Sequence, residues 1–137
     1  MDQFSHVQTA SFLDSAEAYE AWHAFLSAAN QRNLTSENQT FYIGYLDGKP
    51  VGVCLPVLSD DVAGIYAVAT LAEYRKKGVS TTIMKQAITD ARKAGYQTVA
   101  LQVAANSYAQ SFYEGLGFGL QYTVRIFNRS DLSDGGK

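Results

Sequence analysis

The sequence predicts an α/β fold built on one mixed sheet, with an antiparallel meander followed by a parallel β-α-β crossover and helices on both faces. β-rich runs flank the turn "DGKP" at 47–50, which is a hairpin signal. From Val79 onward apolar residues recur at helical spacing, and the apolar run "QTVALQVA" at 97–104 follows that helix. A strand, a helix and a strand in the same sheet imply a right-handed parallel crossover.

The chain has 137 residues, a length that fits a single domain. We expect one domain over 1–137, with a shortened helical region at 1–39, a core at 40–127 and a tail at 128–137. The composition, 47% hydrophobic and 18% charged, is ordinary for a soluble globular protein. With 11 basic and 13 acidic residues the net charge is −2. This argues against a nucleic-acid partner, because such proteins usually show a strongly basic face.

Cys54 is the only cysteine, so the chain can form neither an internal disulfide nor a cysteine-rich metal site. It lies mid-strand in an apolar run, which indicates a buried small side chain rather than a nucleophile. The start "MDQFSHVQTA" lacks the basic residues and apolar run of a signal peptide. No apolar stretch approaches the length of a membrane span. We therefore expect a cytoplasmic protein with no metal and no membrane partner.

A first helix is predicted over 15–30, where apolar residues form a stripe at helical spacing. Asp14, with Glu17 three residues later, resembles a capping box that would start this helix. We expect the stripe to be core, and a homodimer face is the second interpretation. The stripe consists of Tyr19, Trp22, Leu26 and Ala29, widened by Ala18 and Phe25.

Three antiparallel strands are predicted next, across residues 40–70. The segment "TFYIGYLDGKPVGVCLPVL" gives the first two, and Pro56 predicts an edge or a bulge in the second. The triplet "SDD" at 59–61 predicts the next turn, and "VAGIYAVAT" at 62–70 predicts the third strand.

The remaining elements alternate between helix and strand. A helix begins near Val79 and is closed by Gly95, and 97–104 is predicted as a buried strand. The segment "NSYAQSFYEGLG" predicts a short helix capped by Asn106. The segment "FGLQYTVRIF" at 118–127 predicts a last strand, and a frayed tail follows.

The stretch "RKKGVSTT" at 75–82 joins the third strand to a helix. The first turn of a helix exposes unpaired backbone N–H groups and the positive end of its dipole. Gly78 permits a close backbone approach, and Ser80 and Thr81 add hydroxyl donors, so a pyrophosphate fits here. The alternative is that Gly78 is only a turn residue and that the lysines form a solvated face. A P-loop is excluded, and "GLGFG" at 115–119 follows a helix rather than a strand, which excludes a dinucleotide fingerprint.

Two segments, "VATLAEYRKKGVSTTIMKQAITDARKAGY" and "NSYAQSFYEGLGF", resemble the core of the GNAT superfamily of N-acetyltransferases. Members carry Arg/Gln-x-x-Gly-x-Gly/Ala at a helix start and, downstream, an Asn followed seven residues later by a Tyr, shortly before Gly-Phe. The resemblance covers roughly 40–127 and is closest to the C-terminal acetyltransferase unit of longer chains. The matching residues here are Arg75, Gly78, Ser80, Asn106, Tyr113, Gly117 and Phe118.

The resemblance implies a GNAT-like fold that uses acetyl-CoA as co-substrate, and it assigns a role to each matching segment. A set of coenzyme residues is implied: Val68, Ala69 and Thr70 beside the pantetheine arm, Asn106 on the same arm, and Arg75, Lys76, Lys77, Gly78, Val79, Ser80 and Thr81 around the pyrophosphate. Tyr113 would protonate the departing thiolate. A phenol with a pKa near ~10 can return a proton to a thiolate whose thiol has a pKa near ~8.5. The alternative for Tyr113 is a core tyrosine whose hydroxyl has a backbone partner.

Departures from the family pattern keep two functions open. Ser80 stands where Gly or Ala is usual, and its hydroxyl is a further candidate for phosphate contact. The strand before Asn106 has no Glu that could serve as general base, which leaves Tyr66, Glu73, His23 or a water chain. The first interpretation is an N-acetyltransferase whose acceptor is a primary amine of a small molecule or peptide, which attacks the thioester directly in a ternary complex. The alternative is a non-catalytic acyl-CoA-binding or sensory module, or one half of a larger assembly.

Overall fold

The computed structural model describes residues 1–12, 18–103, 105–121 and 123. The chain divides into two units, Met1–Gln102 and Val103–Lys137, and each is described by itself. The helices of the first unit are α1 (Asp2–Phe12), α2 (Tyr19–Asn33), a 3-10 turn (Ala72–Tyr74) and α3 (Val79–Lys93). Its strands are β1 (Tyr42–Leu46), β2 (Lys49–Ser59), β3 (Val62–Thr70) and β4 (Thr98–Leu101). The described part of the second unit contains α4 (Tyr108–Gly115).

The four strands form one mixed sheet in the order β1-β2-β3-β4. β1 pairs with β2 and β2 pairs with β3 in antiparallel fashion, whereas β3 pairs with β4 in parallel, from Val62 opposite Thr98 to Ile65 opposite Leu101. α3 connects the two parallel strands. The predicted meander and the predicted crossover are both confirmed.

The two turns of the meander contain residues with positive φ. Asp47 (51°) and Gly48 (80°) join β1 to β2, and Asp60 (52°) lies between β2 and β3. Two successive positive φ values are the pattern that closes a two-residue hairpin with the twist of the flanking strands. Asp and Gly tolerate this conformation best, so the turn residues account for the register.

Pro56 does not mark a sheet edge, because β2 lies between β1 and β3. The bulge occurs two residues earlier, where the β2–β3 register shifts between Val53 and Leu55, and Ala67 on β3 has a φ of 54° there. Pro56 is tolerated because it lies opposite residues that precede β1, and its carbonyl accepts a hydrogen bond from Thr40 N (3.2 Å).

α1 and α3 lie on opposite faces of the sheet. On one face Phe4 and Val7 of α1 form a buried cluster with Val53. On the other face α3 lies against Gly52, the neighbour of Val53 on β2, and successive residues of a strand point to opposite faces. The predicted arrangement with helices on both faces is therefore confirmed.

The sequence did not predict α1, and the reason is its environment. Phe4 and Val7 face the sheet, but Ser5 and Gln8 are also buried because Asn30 of α2 donates to both side chains at 3.0 Å. A helix that is covered on two sides, one of them polar, shows no simple apolar stripe.

The apolar stripe of α2 is not core, contrary to expectation. α2 begins at Tyr19, and the predicted capping box at Asp14 and Glu17 lies outside the described residues. Trp22 is 50% exposed and Phe25 is 62% exposed. The helix meets α1 through the polar contacts of Asn30, so its most apolar side chains remain at the surface. No helix in the described ranges is long and apolar enough to cross a membrane.

β4 is shorter and less buried than predicted. It covers Thr98–Leu101 with Thr98 and Ala100 exposed and Val99 and Leu101 half-buried. Among the described residues it pairs only with β3, so one of its edges has no strand beside it there. Of the predicted last strand, residues 118–121 and 123 adopt no regular element, and residue 122 with 124–127 lies outside the described residues, as does the predicted tail.

α4 is capped by Ser107, not by Asn106 as predicted. Ser107 Oγ accepts from Gln110 N (3.2 Å), and Gln110 Oε1 accepts from Asn106 N (2.7 Å). The first bond is that of a capping box. In the second, the Gln110 side chain reaches the amide of Asn106, one residue before the N-cap. The pattern Ser-x-x-Gln at 107–110 is the signal in the sequence that could have identified this cap.

Candidate functional site

The turn between β3 and α3 holds its backbone in an unusual conformation. Lys76 has a φ of 64° and Gly78, the N-cap residue of α3, a φ of 81°. Glycine adopts such values without steric cost, whereas other residues do so rarely. A Cβ built on Gly78 would meet no atom within 4 Å, so the missing side chain leaves open space in front of the helix start.

The first turn of α3 offers backbone donors to that space. Thr82 N makes the first bond of the helix, to Gly78 O (3.0 Å). The amides of Val79, Ser80 and Thr81 precede that bond and have no acceptor inside the helix. Three consecutive cations, at 75–77, are exposed beside them. This combination of free amides, dipole and positive charge suits an anion such as a phosphate.

The start of α3 is fixed to the end of β3 by two hydroxyls. Thr70 Oγ1 and Ser80 Oγ are 2.6 Å apart and share a hydrogen bond, and Thr70 is buried. The hydroxyl of Ser80 thus has a protein partner, while its amide is one of the helix-start donors that have no acceptor inside the helix.

Two glycines allow α3 to lie close to the sheet. A Cβ on Gly52 would be 2.6 Å from Val79 Cγ1, and one on Gly44 would be 2.6 Å from Ile83 Cδ1. A side chain at either position would force the facing side chain of α3, or the start of the helix itself, to shift. The two glycines therefore determine how closely the first turns of α3 approach the sheet.

β3 continues past the end of its parallel partner. β4 pairs with Val62–Ile65 only, so Tyr66–Thr70 have no strand partner on that edge within the described part of the chain. Leu71 N donates to Val51 O (2.9 Å), and amide direction alternates along an antiparallel strand. Hence the main-chain groups of Thr70 face the open edge and those of Ala69 face β2, while Val68 lies in the bulge next to Ala67. An extended chain with amide groups could bind there as an added strand.

The first of the three cations is engaged by the protein. Arg75 Nε donates to Thr70 O (3.1 Å) and Arg75 Nη2 donates to Ser11 O (2.9 Å). The ammonium of Lys77 lies 5.7 Å from the ring centroid of Tyr74, and Lys76 is exposed.

Comparison with known proteins identifies the family. The model of the acetyltransferase (GNAT) family matches residues 2–118. The chain belongs to the GNAT acetyltransferase family. It is 30% identical over 89 residues to the probable N-acetyltransferase camello of Xenopus tropicalis, covering 62% of this chain and 41% of the frog protein. It is 24% identical over 129 residues to the ribosomal protein bS18 alanine N-acetyltransferase of Escherichia coli K12, covering 91% of this chain and 85% of that protein.

The fold agrees with that of solved GNAT structures. The PaiA N-acetyltransferase of Thermoplasma acidophilum, solved in complex with coenzyme A, superposes with a TM-score of 0.73 at 21% identity, covering 90% of this chain and 86% of that one. The chain spans less than half of the length of some curated relatives that it matches, 41% and 44% in two cases.

The two downstream residues of the GNAT motif, Asn106 and Tyr113, lie in the second unit. Asn106 is exposed, with a φ of 59°. Tyr113 is half-buried in α4, and its ring makes edge contacts with Phe112 (5.1 Å between centroids) and Phe118 (5.8 Å). Their predicted roles toward the coenzyme remain predictions.

The candidates for the general base have different surroundings. Tyr66 is 51% exposed, at the start of the open part of β3, with its ring over Gly64. Glu73 is exposed in the 3-10 turn. His23 stacks on Tyr19 with 5.3 Å between ring centroids. None of these arrangements selects one candidate as the base.

Cys54 is unsuited to nucleophilic catalysis. It is fully buried, and burial raises the pKa of its thiol to about 12. The thiolate is the nucleophilic form of cysteine, and it is scarce at neutral pH with such a pKa. In the part of the chain that the structure describes, no three His, Cys, Asp or Glu side chains come together as a metal site would require.

Proposed function

We propose that this GNAT chain transfers the acetyl group of acetyl-CoA to a primary amine. One observation carries the proposal: the amides of the first turn of α3 and the neighbouring cations lie beside the open edge of β3, where Thr70 bonds to Ser80. A pyrophosphate with an amide-containing arm attached to it is a ligand that fits both features. Membership in a family whose matched relatives are named N-acetyltransferases supports the same conclusion.

The coenzyme would lie with its pyrophosphate at the start of α3 and its pantetheine arm along the open edge of β3. The amides of Lys76 through Thr81 would hold the pyrophosphate, and Gly78 would let it approach the backbone. The pantetheine arm would then extend along β3 beside Val68 and Thr70. Arg75 occupies the carbonyl of Thr70, so the main-chain group that Thr70 would offer is its amide. We propose Asn106 as a further ligand of the arm.

The reaction we propose is a direct transfer in a ternary complex. The uncharged amine attacks the thioester carbonyl, a C–N bond forms, and the C–S bond breaks with its electron pair on sulfur. The thiolate then takes a proton, for which we propose Tyr113 as donor, and the amine loses one to a base or water. A covalent enzyme intermediate is not part of this scheme, because the only cysteine is buried and its thiol pKa is raised.

The acceptor we propose is a primary amine of a small molecule or peptide in the cytoplasm. The bS18 alanine N-acetyltransferase is named for an amine of a protein. The panel of candidate acceptors should therefore include the N-terminal amine of a peptide.

A thiol-release assay with a panel of amines, run beside calorimetric titration with acetyl-CoA, tests the function. Steady thiol release that depends on one amine supports the acetyltransferase. Tight acetyl-CoA binding without turnover on any amine would instead support a non-catalytic acyl-CoA-binding module. No binding at millimolar coenzyme would refute both.

A further inference from the structure

The side chain of Arg75 binds main-chain carbonyls of two different elements. One is Thr70 O at the end of β3, and the other is Ser11 O in the last turn of α1. The donors Nε and Nη2 form one edge of the planar guanidinium, which is the geometry that grips a phosphate with two parallel bonds. Protein carbonyls already occupy this edge.

The end of α1 is a place where a cation is favourable. The last four carbonyls of a helix lack partners inside it and carry the negative end of its dipole. α1 has no basic residue in its own last turn. Arg75, which is 64 residues away in the chain from Ser11, brings both a hydrogen-bond donor and a positive charge to that turn.

The Thr70 carbonyl is a second group that needs a donor. It faces the open edge of β3, where β4 has ended, so no strand amide reaches it in the described part of the chain. Arg75 Nε supplies that donor, while the Thr70 hydroxyl bonds to Ser80 at the start of α3. Thr70 is therefore held to both ends of the turn.

We propose that Arg75 is a positioning residue rather than a phosphate ligand. Its side chain holds the end of α1 to the turn between β3 and α3, where the coenzyme would bind. The inference rests on the proposed function, because acetyl-CoA is the ligand assigned to that turn. α1 and α3 lie on opposite faces of the sheet, so Arg75 links the helix of one face to the start of the helix on the other. Coenzyme binding and the order of the last turn of α1 are then coupled, and such coupling acts in both directions.

Amide hydrogen exchange of the full chain without coenzyme is the first test. In Arg75→Met the amides at the end of α1 should exchange roughly three- to tenfold faster, as expected for the loss of a hydrogen bond. Arg75→Lys keeps the charge but not the fork, so it should restore little protection. Lys76→Met removes the same charge from the same turn and should leave the exchange of α1 unchanged. If Arg75→Met fails to fold, Arg75→Gln provides the same comparison.

The second test adds acetyl-CoA. At a concentration that saturates each variant, the coenzyme should slow exchange at the end of α1 in the wild type and in Lys76→Met, but not in Arg75→Met. The proposal is overturned if Arg75→Met leaves the exchange of α1 unchanged, or if its only effect is weaker binding of coenzyme A with unchanged binding of acetyl-pantetheine, which lacks the pyrophosphate. If the wild type binds no acetyl-CoA, the proposed function fails and so does the coupling, whereas the first test still decides whether Arg75 holds α1.

Discussion

Gly78 and Gly48 form a matched pair that separates backbone strain from ligand binding. Both have a φ near 80°, and a Cβ on either would meet no protein atom within 4 Å. Alanine at either position should cost about 1 kcal/mol of unfolding free energy, because a left-handed backbone is strained for a residue with a Cβ. Only Gly78→Ala should also weaken acetyl-CoA binding, at least tenfold, because its methyl group would enter the phosphate position. Calorimetric titration of both variants tests this, and equal affinities would show that the turn has no role in binding.

Tyr113→Phe should lower kcat much more than it lowers the affinity for the coenzyme. The ring contacts with Phe112 and Phe118 survive the substitution, and loss of a general acid typically costs about 10²–10⁴-fold in rate. Tyr108→Phe is the control, because it removes a hydroxyl from the same helix at a residue that is 78% exposed. A Tyr113→Phe enzyme that melts earlier but turns over normally would show that the hydroxyl is structural.

Cys54 should make the protein less stable at alkaline pH. Burial raises the pKa of its thiol to about 12, whereas an unfolded cysteine titrates near ~8.5. The unfolded chain therefore releases this proton first, so the stabilisation is complete below the unfolded pKa and is lost as pH rises toward the folded value. The stability advantage of the wild type over Cys54→Ala should shrink by about 1.4 kcal/mol per pH unit above roughly pH 9. Urea melts at pH 7 to 10.5 measure it, and a constant difference would contradict the raised pKa.

At the scale of residues, the sequence could show which residue types form the site but not their partners. Gly78 was predicted from the requirement for a residue without a side chain at a helix start, a purely local property. The bonds of Arg75 to Ser11 and of Ser80 to Thr70 depend on how separate elements meet. No local spacing contains that information. The phosphate contacts predicted for Ser80 and Arg75 stay predictions, and both side chains have protein partners that the sequence did not show.

At the scale of elements, the depth of α3 against the sheet should control both stability and binding. Gly52→Ala places a methyl group 2.6 Å from Val79 Cγ1, and such overpacking typically costs about 1–3 kcal/mol. It should also shift the start of α3 and weaken acetyl-CoA binding. Gly44→Ala should cost less, because the atom it meets is the flexible end of Ile83.

The double variant Gly52→Ala/Val79→Ala tests whether the loss of stability comes from the contact between the new methyl group and Val79 Cγ1. Removing the Val79 methyl groups should recover part of the stability that Gly52→Ala loses, so the two substitutions should not be additive. Urea denaturation of the two single variants and the double variant gives the coupling energy. If the changes in unfolding free energy of the two single variants add fully, Gly52 is not required for the close approach of α3 to the sheet.

Elements with their own local signal were predicted, and elements defined by their surroundings were not. β3 was predicted with its observed bounds because a turn precedes it and a change from strand to helix spacing follows. α1 was missed because its buried face is partly polar. The stripe of α2 was placed in the core because periodicity shows that a helix is amphipathic but not what covers its apolar face.

At the scale of the whole molecule, charge is unevenly distributed. The net charge is −2, yet three of the 11 basic residues are consecutive at the start of α3. Such a local cluster can attract a multiply charged anion to one site without making the protein a general polyanion binder. Raising the ionic strength should therefore weaken the binding of coenzyme A much more than that of acetyl-pantetheine.

Acetyl-CoA should stabilise the whole chain against heat, because the site it would occupy exists only when α3 and β3 are assembled. A ligand that binds only the native state adds RT ln(1 + [L]/Kd), which is about 2.7 kcal/mol at a hundredfold excess over Kd. For a domain of this size that corresponds to a rise in Tm of several degrees. Dephosphorylated pantetheine is the control and should give a much smaller rise, because it lacks the pyrophosphate that the amides of Val79 to Thr81 would hold. Absence of any shift with millimolar acetyl-CoA would show that the helix start binds no coenzyme, because water can satisfy the helix-start amides equally well.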